Sequence, residues 1–333
     1  MNTPAPDVVR SAYAQLAVTD LGAARWFWVD MLGFYVQYED ADSLYLRGTD
    51  ELTHHSLVLR EGDIAALDHI AYRVRTPEDV DKAAKFFAGL GRPVKRVKKG
   101  KGTHGIGDAV RVIDPLGFPV EFFHEIEHAE RLIQRYDIRH GAEIARLDHF
   151  NICTPDISAA YAHYESLGFG CSETIEGDEH ELYAAWMYRK QTVHDVAFTG
   201  GAGPQLHHLG VATHESHQVL RCADIFGSLR KEHHIERGPG RHGVSNAFYL
   251  YLRDPDGHRV EIYTSDYYTG DPDHETYRWN VRDDRRRDFW GNAVIESWYK
   301  EATPVLDLDG RPQCVSDALL DESAIQVGAD GLG

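Results

Sequence analysis

The sequence predicts an α+β fold of four βαβββ modules, which form two tandem halves followed by a segment outside the repeat. Internal similarity is the main evidence for this architecture. Residues 11–34 resemble residues 147–169, because each stretch reads as a strand, a helix start, a helix and then Leu-Gly-Phe. Shorter stretches in the second part of each half are similar in the same way. The four modules are expected near residues 11–60, 67–124, 147–200 and 206–264.

The ends of the predicted helices and hairpins carry residues typical of such positions. Asp20 and Asp156 precede the first helix of each half, where a carboxylate can accept hydrogen bonds from free backbone N–H groups. Gly33 and Gly168 follow these helices, where glycine often terminates a helix. An Asp-Pro-x-Gly segment in each half favours a turn that joins two strands.

These patterns divide the chain into four parts. Residues 1–124 are predicted to form a first half of two modules, and residues 145–265 a second half of two modules. Between them, residues 125–144 form a linker with a helix predicted at Glu125–Tyr136. The tail, residues 266–333, contains aromatic residues that indicate packing against the modules, and the sequence leaves open whether Gly333 is the native C-terminus.

Composition and charge narrow the class of protein. The formal net charge of −18 at pH 7 argues against nucleic acid and membrane surfaces as partners. The N-terminus lacks the apolar core of a signal peptide, and no stretch reads as a membrane span. The four cysteines are scattered without a Cys-x-x-Cys pair, which is typical of the reducing cytoplasm. A cytoplasmic protein is therefore expected, in which an anionic ligand needs a local cluster of cationic side chains.

Three predicted strands carry residues that suit a divalent metal. Apolar and polar residues alternate in the strands that contain His149, His208 and Glu261. If these strands are neighbours in one curved sheet, two imidazoles and one carboxylate can meet on its concave face. This donor set leaves open positions on an octahedral metal, as in the facial triad of non-haem Fe(II) oxygenases. His207 is expected on the opposite face, because adjacent strand residues point in opposite directions.

The chain resembles the vicinal oxygen chelate superfamily, and within it the type I extradiol ring-cleaving dioxygenases that act on 3,4-dihydroxyphenylacetate. The most specific stretches are LDHFN (147–151), AAWMYRKQTVHD (184–195), ERGPGRHGVSNAFYLYL (236–252), DPDGHRVEIYTSDYYTGDPD (254–273) and RRDFWGN (286–292). The resemblance implies a glyoxalase-like fold in which His149, His208 and Glu261 bind one Fe(II) or Mn(II) ion per chain. Both metals accept these ligands, so the choice between them stays open.

The resemblance also implies roles for residues around the metal. His194 would be the acid–base group near oxygen, since an unperturbed histidine titrates close to working pH. Tyr251 would donate a hydrogen bond to the substrate or its oxygen adduct, and His242 would hydrogen-bond a substrate oxygen. Asn151 shares the face of His149 and would help to position substrate or oxygen. A surface-loop histidine and an aromatic core residue are the alternative interpretations of His194 and Tyr251.

An arylacetate carboxylate needs a cation, and arginine offers two parallel N–H donors. By resemblance, Arg237 and Arg287 face this carboxylate, with Arg286 close by, and Trp186 forms a wall of the pocket. Arg237 lies in a glycine-rich loop that can approach a ligand closely. The alternative for residues 285–287 is a solvated run of charge. The arginine–aspartate–aromatic context favours a tail that acts as a lid and carries part of the specificity.

The first half differs at one of the three ligand positions. His69 and Glu121 occupy the repeat-equivalent positions of two ligands, but Tyr13 stands where His149 stands in the second half. One imidazole and one carboxylate make a poor divalent site. The first half is therefore expected to hold no metal and to serve as scaffold and interface, with His69 and Glu121 hydrogen-bonded to each other or to water.

Together these features predict an enzyme of aromatic-compound catabolism that opens the ring of 3,4-dihydroxyphenylacetate beside the diol with O2, giving a yellow semialdehyde. The alternatives are a metal-dependent isomerase or lyase of the same superfamily and a non-catalytic small-molecule-binding member. Oxygen consumption separates the isomerase or lyase from the dioxygenase, and the joint presence of three metal ligands counts against a binding module. The resemblance further implies a homo-oligomer, in particular a tetramer.

Overall fold

The computed structural model describes residues 3–320, which form two β-sheets of eight and ten strands. Each half of the chain contributes one sheet, and five short or medium helices accompany the strands. Residues 321–333 of the predicted tail, which include Gly333, lie outside the described part. Among the described residues, no helix has both the length and the apolar character that a membrane crossing requires.

The first half contains two βαβββ modules. The first consists of β1 (Val8–Val18), α1 (Leu21–Arg25) continued by a π-helical turn (Trp26–Met31), β2 (Tyr35–Glu39), β3 (Ser43–Arg47) and β4 (Leu57–Glu61). The second consists of β5 (Ala66–Val74), α2 (Pro77–Gly89), β6 (Val94–Val97), β7 (Ala109–Ile113) and β8 (Pro119–Phe123). Their strands form one sheet in the order β2-β3-β4-β1-β5-β8-β7-β6.

The second half repeats this architecture. Its first module consists of β9 (Arg146–Thr154), α3 (Ile157–Ser166), β10 (Gly170–Glu176), β11 (Leu182–Tyr188) and β12 (Val196–Gly200). Its second module consists of β13 (Gln205–Ala212), α4 (Ser216–Ser228), β14 (Ile235–Arg241), β15 (Phe248–Arg253) and β16 (Arg259–Thr264), with 3₁₀ turns at Glu232–His234 and Val244–Asn246. The predicted four-module α+β fold is confirmed, and each module begins and ends within a few residues of its expected span.

The tail packs against the second half, as its aromatic residues indicated. It contains β17 (Tyr277–Asn280), a 3₁₀ turn (Asp284–Arg286), α5 (Glu296–Lys300) and β18 (Thr303–Pro304). β17 pairs with β10 at the sheet edge, and β18 pairs with β13. The second sheet therefore has the order β14-β15-β16-β13-β9-β12-β11-β10-β17, with β18 added beside β13.

The helix ends follow from the residues that the sequence places there. The Asp20 carboxylate accepts a hydrogen bond from the Ala23 N–H, and Asp156 accepts one from the Ala159 N–H. Gly168 follows α3 with a φ of 81°, a conformation that costs glycine little. Buried side chains of α2 recur at helical spacing, so one face of this helix packs into the core; these are Val80, Ala83, Ala84 and Phe87.

The helix predicted at Glu125–Tyr136 is wrong. The segment forms isolated bridges and turns, followed by a short 3₁₀ turn at Tyr136–Ile138. Its backbone bonds to loops of the first half instead: the Ala129 N–H donates to the Leu52 carbonyl at 2.9 Å. Differences in helix propensity amount to a few tenths of a kcal/mol per residue. Each tertiary hydrogen bond contributes about 0.5–1.5 kcal/mol, so a few of them are enough to outweigh the local preference for a helix.

Candidate metal centre and substrate pocket

Three adjacent strands of the second sheet bring together His149, His208 and Glu261. β13 lies between β9 and β16, and Gly210 of β13 pairs with His149 on one side and Glu261 on the other. Gly210 has no side chain to fill the space between them. Nε2 of His149 and Nε2 of His208 lie 3.2 and 3.3 Å from Glu261 Oε2, and all three side chains are buried.

The expected direction of His207 is wrong because β13 carries a β-bulge. The pairing of β13 with β9 skips His207, which is an extra residue in the ladder. The imidazoles of His207 and His208 consequently meet, with 2.7 Å between their Nδ1 atoms. His207 Nε2 donates a hydrogen bond to the Trp298 carbonyl at 3.0 Å. His207 therefore lies behind the candidate ligand rather than on the far side of the sheet.

A second bulge, in β9, places a hydrogen-bond acceptor next to His149. The pairing skips Asp148, whose Oδ2 accepts a hydrogen bond from His149 Nδ1 at 3.3 Å. Burial raises the pKa of Asp148, but Lys190, His149 and Arg146 outweigh it and hold this pKa well below its usual range. An ionised Asp148 holds a proton of His149 on Nδ1, so Nε2 is the atom of this imidazole that a metal would bind.

The donor set fits a divalent metal. Burial raises the pKa of Glu261, but the neighbouring imidazoles of His149, His208 and His242 overcome this and leave it well below its usual range. Burial lowers the pKa of His208 to about 4. An ionised carboxylate and imidazole lone pairs are the forms that metal binding needs. Two imidazoles with one carboxylate suit iron, manganese and other divalent transition ions.

A pocket with an empty volume of about 610 Å³ opens over this cluster. Every residue that the sequence assigned to the site lines it: His149, Asn151, Trp186, His194, His208, Arg237, His242, Tyr251, Glu261, Arg286 and Arg287. Among residues 3–320, Glu261 is the only carboxylate that lines this pocket, together with three arginines. The pocket wall therefore carries a net positive charge within a strongly acidic chain.

His194 precedes β12, and its ring lies against that of a candidate ligand, His149. Its ring centroid lies 3.9 Å from that of His149. Burial, with a smaller contribution from His149, lowers the pKa of His194 well below its ordinary value. The sequence alone indicated a pKa near working pH, whereas burial strongly favours the neutral imidazole. Its Nδ1 is buried without a hydrogen-bond partner among residues 3–320.

Tyr251 and His242 form a hydrogen-bonded pair next to the ligands. Tyr251 pairs with Glu261 across β15 and β16. The Arg287 carbonyl can only accept, so His242 donates to it through Nδ1–H at 2.7 Å. The Tyr251 hydroxyl then donates to His242 Nε2 at 2.8 Å. Burial raises the pKa of Tyr251 well above its usual value, so its hydroxyl stays protonated and can donate.

The arginine run at 285–287 is divided between solvent and pocket. The Arg285 side chain is 61% exposed and pairs with Asp283. Arg286 is buried and the Arg287 side chain is only 18% exposed, and both line the pocket. The short 3₁₀ turn at Asp284–Arg286 points successive side chains in different directions. The interpretation as a fully solvated charge run is therefore wrong.

Arg237 is held by the tail. Its Nη2 donates to the Arg287 carbonyl at 2.8 Å, and its guanidinium lies 4.6 Å from the centre of the Trp298 ring. Trp298 thus contacts the pocket arginine with its ring and His207 with its carbonyl. The side chain of Asn151 is oriented by Thr199, whose hydroxyl donates to its Oδ1 at 2.9 Å.

Sequence reasoning missed six lining residues: Ile175, Ala184, Thr199, Val244, Ser245 and Trp298. Val244 and Ser245 follow His242 in the same glycine-rich motif, and this proximity was a usable signal. Trp298 had no such signal, because only the path of the tail brings it to the pocket.

In the first half, the side chains at the positions equivalent to the candidate ligands hydrogen-bond to one another. Tyr13, Ala71 and Glu121 are neighbours across β1, β5 and β8. The Tyr13 hydroxyl lies 2.9 Å from His69 Nε2 and 2.5 Å from Glu121 Oε1, and Arg111 Nε donates to Glu121 at 2.6 Å. His69 and Glu121 do not bond each other, since their nearest atoms are 3.9 Å apart. Tyr13 connects them instead.

A tandem repeat of βαβββ modules, with a buried two-histidine, one-carboxylate cluster beneath an open pocket, defines a candidate metalloenzyme. Residues 10–122 and 146–262 match the Glyoxalase/Bleomycin resistance protein/Dioxygenase superfamily. The chain belongs to this superfamily.

Characterised relatives include ring-cleaving dioxygenases. The chain is 32% identical over 289 residues to a manganese-dependent 2,3-dihydroxybiphenyl 1,2-dioxygenase of Geobacillus genomosp. 3, covering 82% of this chain and 90% of the relative. It is 29% identical over 321 residues to a metapyrocatechase of Geobacillus stearothermophilus, covering 91% and 95% of the two chains.

Solved structures of higher identity have the same fold. The homoprotocatechuate 2,3-dioxygenase of Arthrobacter globiformis is 58% identical with a TM-score of 0.93, covering 95% of this chain and 98% of the other. The anaerobic complex of the Brevibacterium fuscum enzyme with 3,4-dihydroxyphenylacetate is 57% identical with a TM-score of 0.92, covering 94% and 98%. These comparisons confirm the resemblance to extradiol dioxygenases and the glyoxalase-like fold predicted from the sequence.

Proposed function

We propose that this protein is an extradiol dioxygenase that opens the ring of 3,4-dihydroxyphenylacetate with O2, both atoms of which enter the product. One observation carries this proposal: a single pocket is lined both by the His149, His208 and Glu261 cluster and by three arginines. The proposed substrate has matching groups, because its diol can bind a metal through two oxygens and its carboxylate can pair with arginine. The Brevibacterium fuscum relative was solved with this compound bound.

His149, His208 and Glu261 would hold one Fe(II) or Mn(II) ion per chain. When bound, the ion supplies Lewis acidity toward the catechol oxygens and open positions for substrate and O2. The hydrogen bonds that His149 and His208 donate through Nδ1–H to Asp148 and His207 keep the two imidazoles in the tautomers that present Nε2.

His194 would move a proton during ring opening. Because burial keeps its imidazole neutral, it can accept the proton that the catechol releases on binding and return it to an oxygen atom as the ring opens. Tyr251 stays protonated and would turn its hydroxyl hydrogen from His242 Nε2 to a substrate oxygen. Asn151, oriented by Thr199, would help to position substrate or oxygen.

Arg237, Arg286 and Arg287 would bind the carboxylate, with Trp186 and Trp298 as apolar walls that exclude water from the ring. A charged hydrogen bond is stronger where water is excluded. The arginines in this pocket should therefore bind an anion more tightly than the exposed Arg285. The tail, which supplies two of the three arginines and Trp298, would set specificity for an acidic ring substituent.

Oxygen uptake tests the proposal directly. The protein is stripped of metal, loaded separately with Fe(II) and Mn(II), and mixed with 3,4-dihydroxyphenylacetate in an oxygen-electrode cell. We expect one O2 consumed per substrate and a yellow ring-opened product, and the relative rates rank the two metals. Metal-loaded protein that consumes no O2 with this catechol would overturn the proposal and favour an isomerase, a lyase or a binding protein.

The proposal extends to compartment and assembly. Cys153, Cys171, Cys222 and Cys314 are all free thiols, which supports the reducing cytoplasm. Resemblance to the family supports a homo-oligomer, with a tetramer as the expected state. Light scattering on the purified protein measures the mass in solution, and a monomer at micromolar concentration would contradict this part.

A further inference from the structure

A second cluster of metal-binding side chains lies in the first half, away from the pocket. His54, His104 and Glu127 each offer one ligand atom, and these atoms all lie within 4.8 Å of one another. His54 precedes β4, His104 lies in the loop between β6 and β7, and Glu127 follows β8. These three residues are not the ones that correspond to the candidate ligands of the second half. Those are Tyr13, His69 and Glu121, and the expectation of a metal-free first half was based on them.

The backbone holds these three segments together. The His54 N–H donates to the Glu127 carbonyl at 2.7 Å, and the Glu127 N–H donates to the Gly105 carbonyl at 2.8 Å. A β-bridge joins Thr53 to His128 on either side of the same contact. The ligand-bearing residues are therefore already close together, and binding an ion requires little ordering of the chain.

The two imidazoles are also oriented by their neighbours. The His104 ring stacks on Tyr38, with 4.1 Å between centroids and 10° between planes. Nδ1 of His54 contacts Nδ1 of His55 at 3.1 Å, which leaves Nε2 of His54 for a ligand.

We propose that His54, His104 and Glu127 form a second metal site. It binds a divalent transition ion such as zinc, and the ion connects three loops of the first half. Two imidazoles with one carboxylate favour zinc, nickel, copper or cobalt over calcium and magnesium, which prefer oxygen ligands. His104 and Glu127 are exposed and His54 is buried, so the ion sits at the surface and water completes its coordination. This inference does not depend on the proposed dioxygenase activity.

Metal stoichiometry in single-site variants tests the proposal. The untagged full-length chain is stripped with a chelator and dialysed against buffered Zn(II), and bound zinc per chain is measured by mass spectrometry. We expect two zinc ions in the wild type, one in His104→Ala and one in His208→Ala, which disables the candidate catalytic centre. The exposed histidine of α4 supplies the matched control, since His217→Ala should retain two.

Two further measurements separate this site from the catalytic one. His104→Ala should keep the wild-type circular dichroism spectrum and the wild-type oxygen uptake with Mn(II), because the residue lies outside the pocket. Glu127→Gln, which removes a ligand charge and keeps the shape, should also bind one zinc ion. A wild type that binds one ion, or a His104→Ala chain that binds as many as the wild type, would overturn the second site.

Discussion

The carbonyl oxygen of Trp298 accepts a hydrogen bond from Nε2 of His207 at 3.0 Å. Burial lowers the pKa of His207 well below its usual value, so this imidazole is neutral and offers a lone pair at Nδ1. His208 Nδ1 lies 2.7 Å away and must donate, which turns the Nε2 lone pair of His208 toward Glu261. A residue of the tail thus sets the tautomer of a candidate metal ligand through one intervening imidazole.

Replacing His207 should therefore weaken metal binding without removing a ligand. In His207→Leu the Nδ1–H of His208 loses its acceptor, and we expect the metal dissociation constant to rise by about 10- to 100-fold, as for other residues that support a ligand. His207→Asn keeps an acceptor near the position of Nδ1 and should stay close to wild type. Competition with a chromophoric chelator measures both constants, and equal weakening in the two variants would argue against the tautomer role.

The divided arginine run predicts a charge-specific substrate effect. Arg287→Ala should raise KM for 3,4-dihydroxyphenylacetate much more than KM for 4-methylcatechol, which has no carboxylate. A charged hydrogen bond lost from a partly buried site is worth about 1.5–3 kcal/mol, or roughly 10- to 150-fold. Arg285→Ala is the matched control, because its side chain points to solvent, and it should change neither constant. Similar effects of Arg287→Ala on both substrates would rule out carboxylate binding.

Gly210 provides a steric test of the candidate metal centre. A Cβ added at this position would overlap the His149 ring, which leaves no room for the present imidazole orientation. We expect Gly210→Ala to lose most of its bound metal while its far-ultraviolet circular dichroism spectrum stays unchanged.

The control for this substitution is a glycine with free space around it. A Cβ added at Gly227 in α4 meets no atom within 4 Å. Gly227→Ala should keep its metal and gain about 0.5–1 kcal/mol of stability, since alanine favours the helix. Full metal content in Gly210→Ala would show that His149 is not needed as a ligand in its present position.

The ion pairs of Glu236 predict a pH-dependent stability. Burial raises the pKa of Glu236, but Arg259 and Arg253 overcome this and lower it to about 2. Because the folded pKa lies below the unfolded one, the contribution is complete above about pH 4.5 and is lost as the pH falls toward 2. The shift corresponds to about 3 kcal/mol at neutral pH.

Glu236→Gln should therefore destabilise the protein strongly at pH 7 and much less at pH 3. Urea unfolding of metal-free protein at several pH values measures the difference in free energy of unfolding from wild type. More than half of this difference should disappear between pH 7 and pH 3. The exposed Glu165 of α3 supplies a control, since Glu165→Gln should differ little from wild type at any pH. A pH-independent deficit in Glu236→Gln would mean that packing, not the ion pairs, explains its effect.

Strand periodicity and repetition predicted part of the candidate site, and the resemblance to a known family supplied the rest. Alternation assigned His149 and Asn151 to one face of β9, and the repeat identified Tyr13 as the residue that replaces a ligand in the first half. The failures occur where non-local contacts override a local pattern. The bulge at His207 depends on how β13 aligns with β9, and the segment after β8 bonds to loops near Leu52 instead of forming a helix.

The protonation of His194 marks another limit of sequence reasoning. Its residue type indicated a group that titrates near neutral pH, but burial beside His149 lowers its pKa well below that range. Burial is a property of the packed molecule, so no sequence motif carries the size of this shift.

The sequence by itself determined the four modules and, through the motifs that resemble a known family, eleven of the residues around the pocket, because periodicity and motif are properties of neighbouring residues. Only the tertiary structure decided which distant residues meet. It brought Trp298 from the tail to His207, separated Arg285 from Arg286 and Arg287, and assembled His54, His104 and Glu127 from three loops. The physical reason is that strand and helix periods set the direction of each side chain, whereas distances between remote segments depend on strand register and packing.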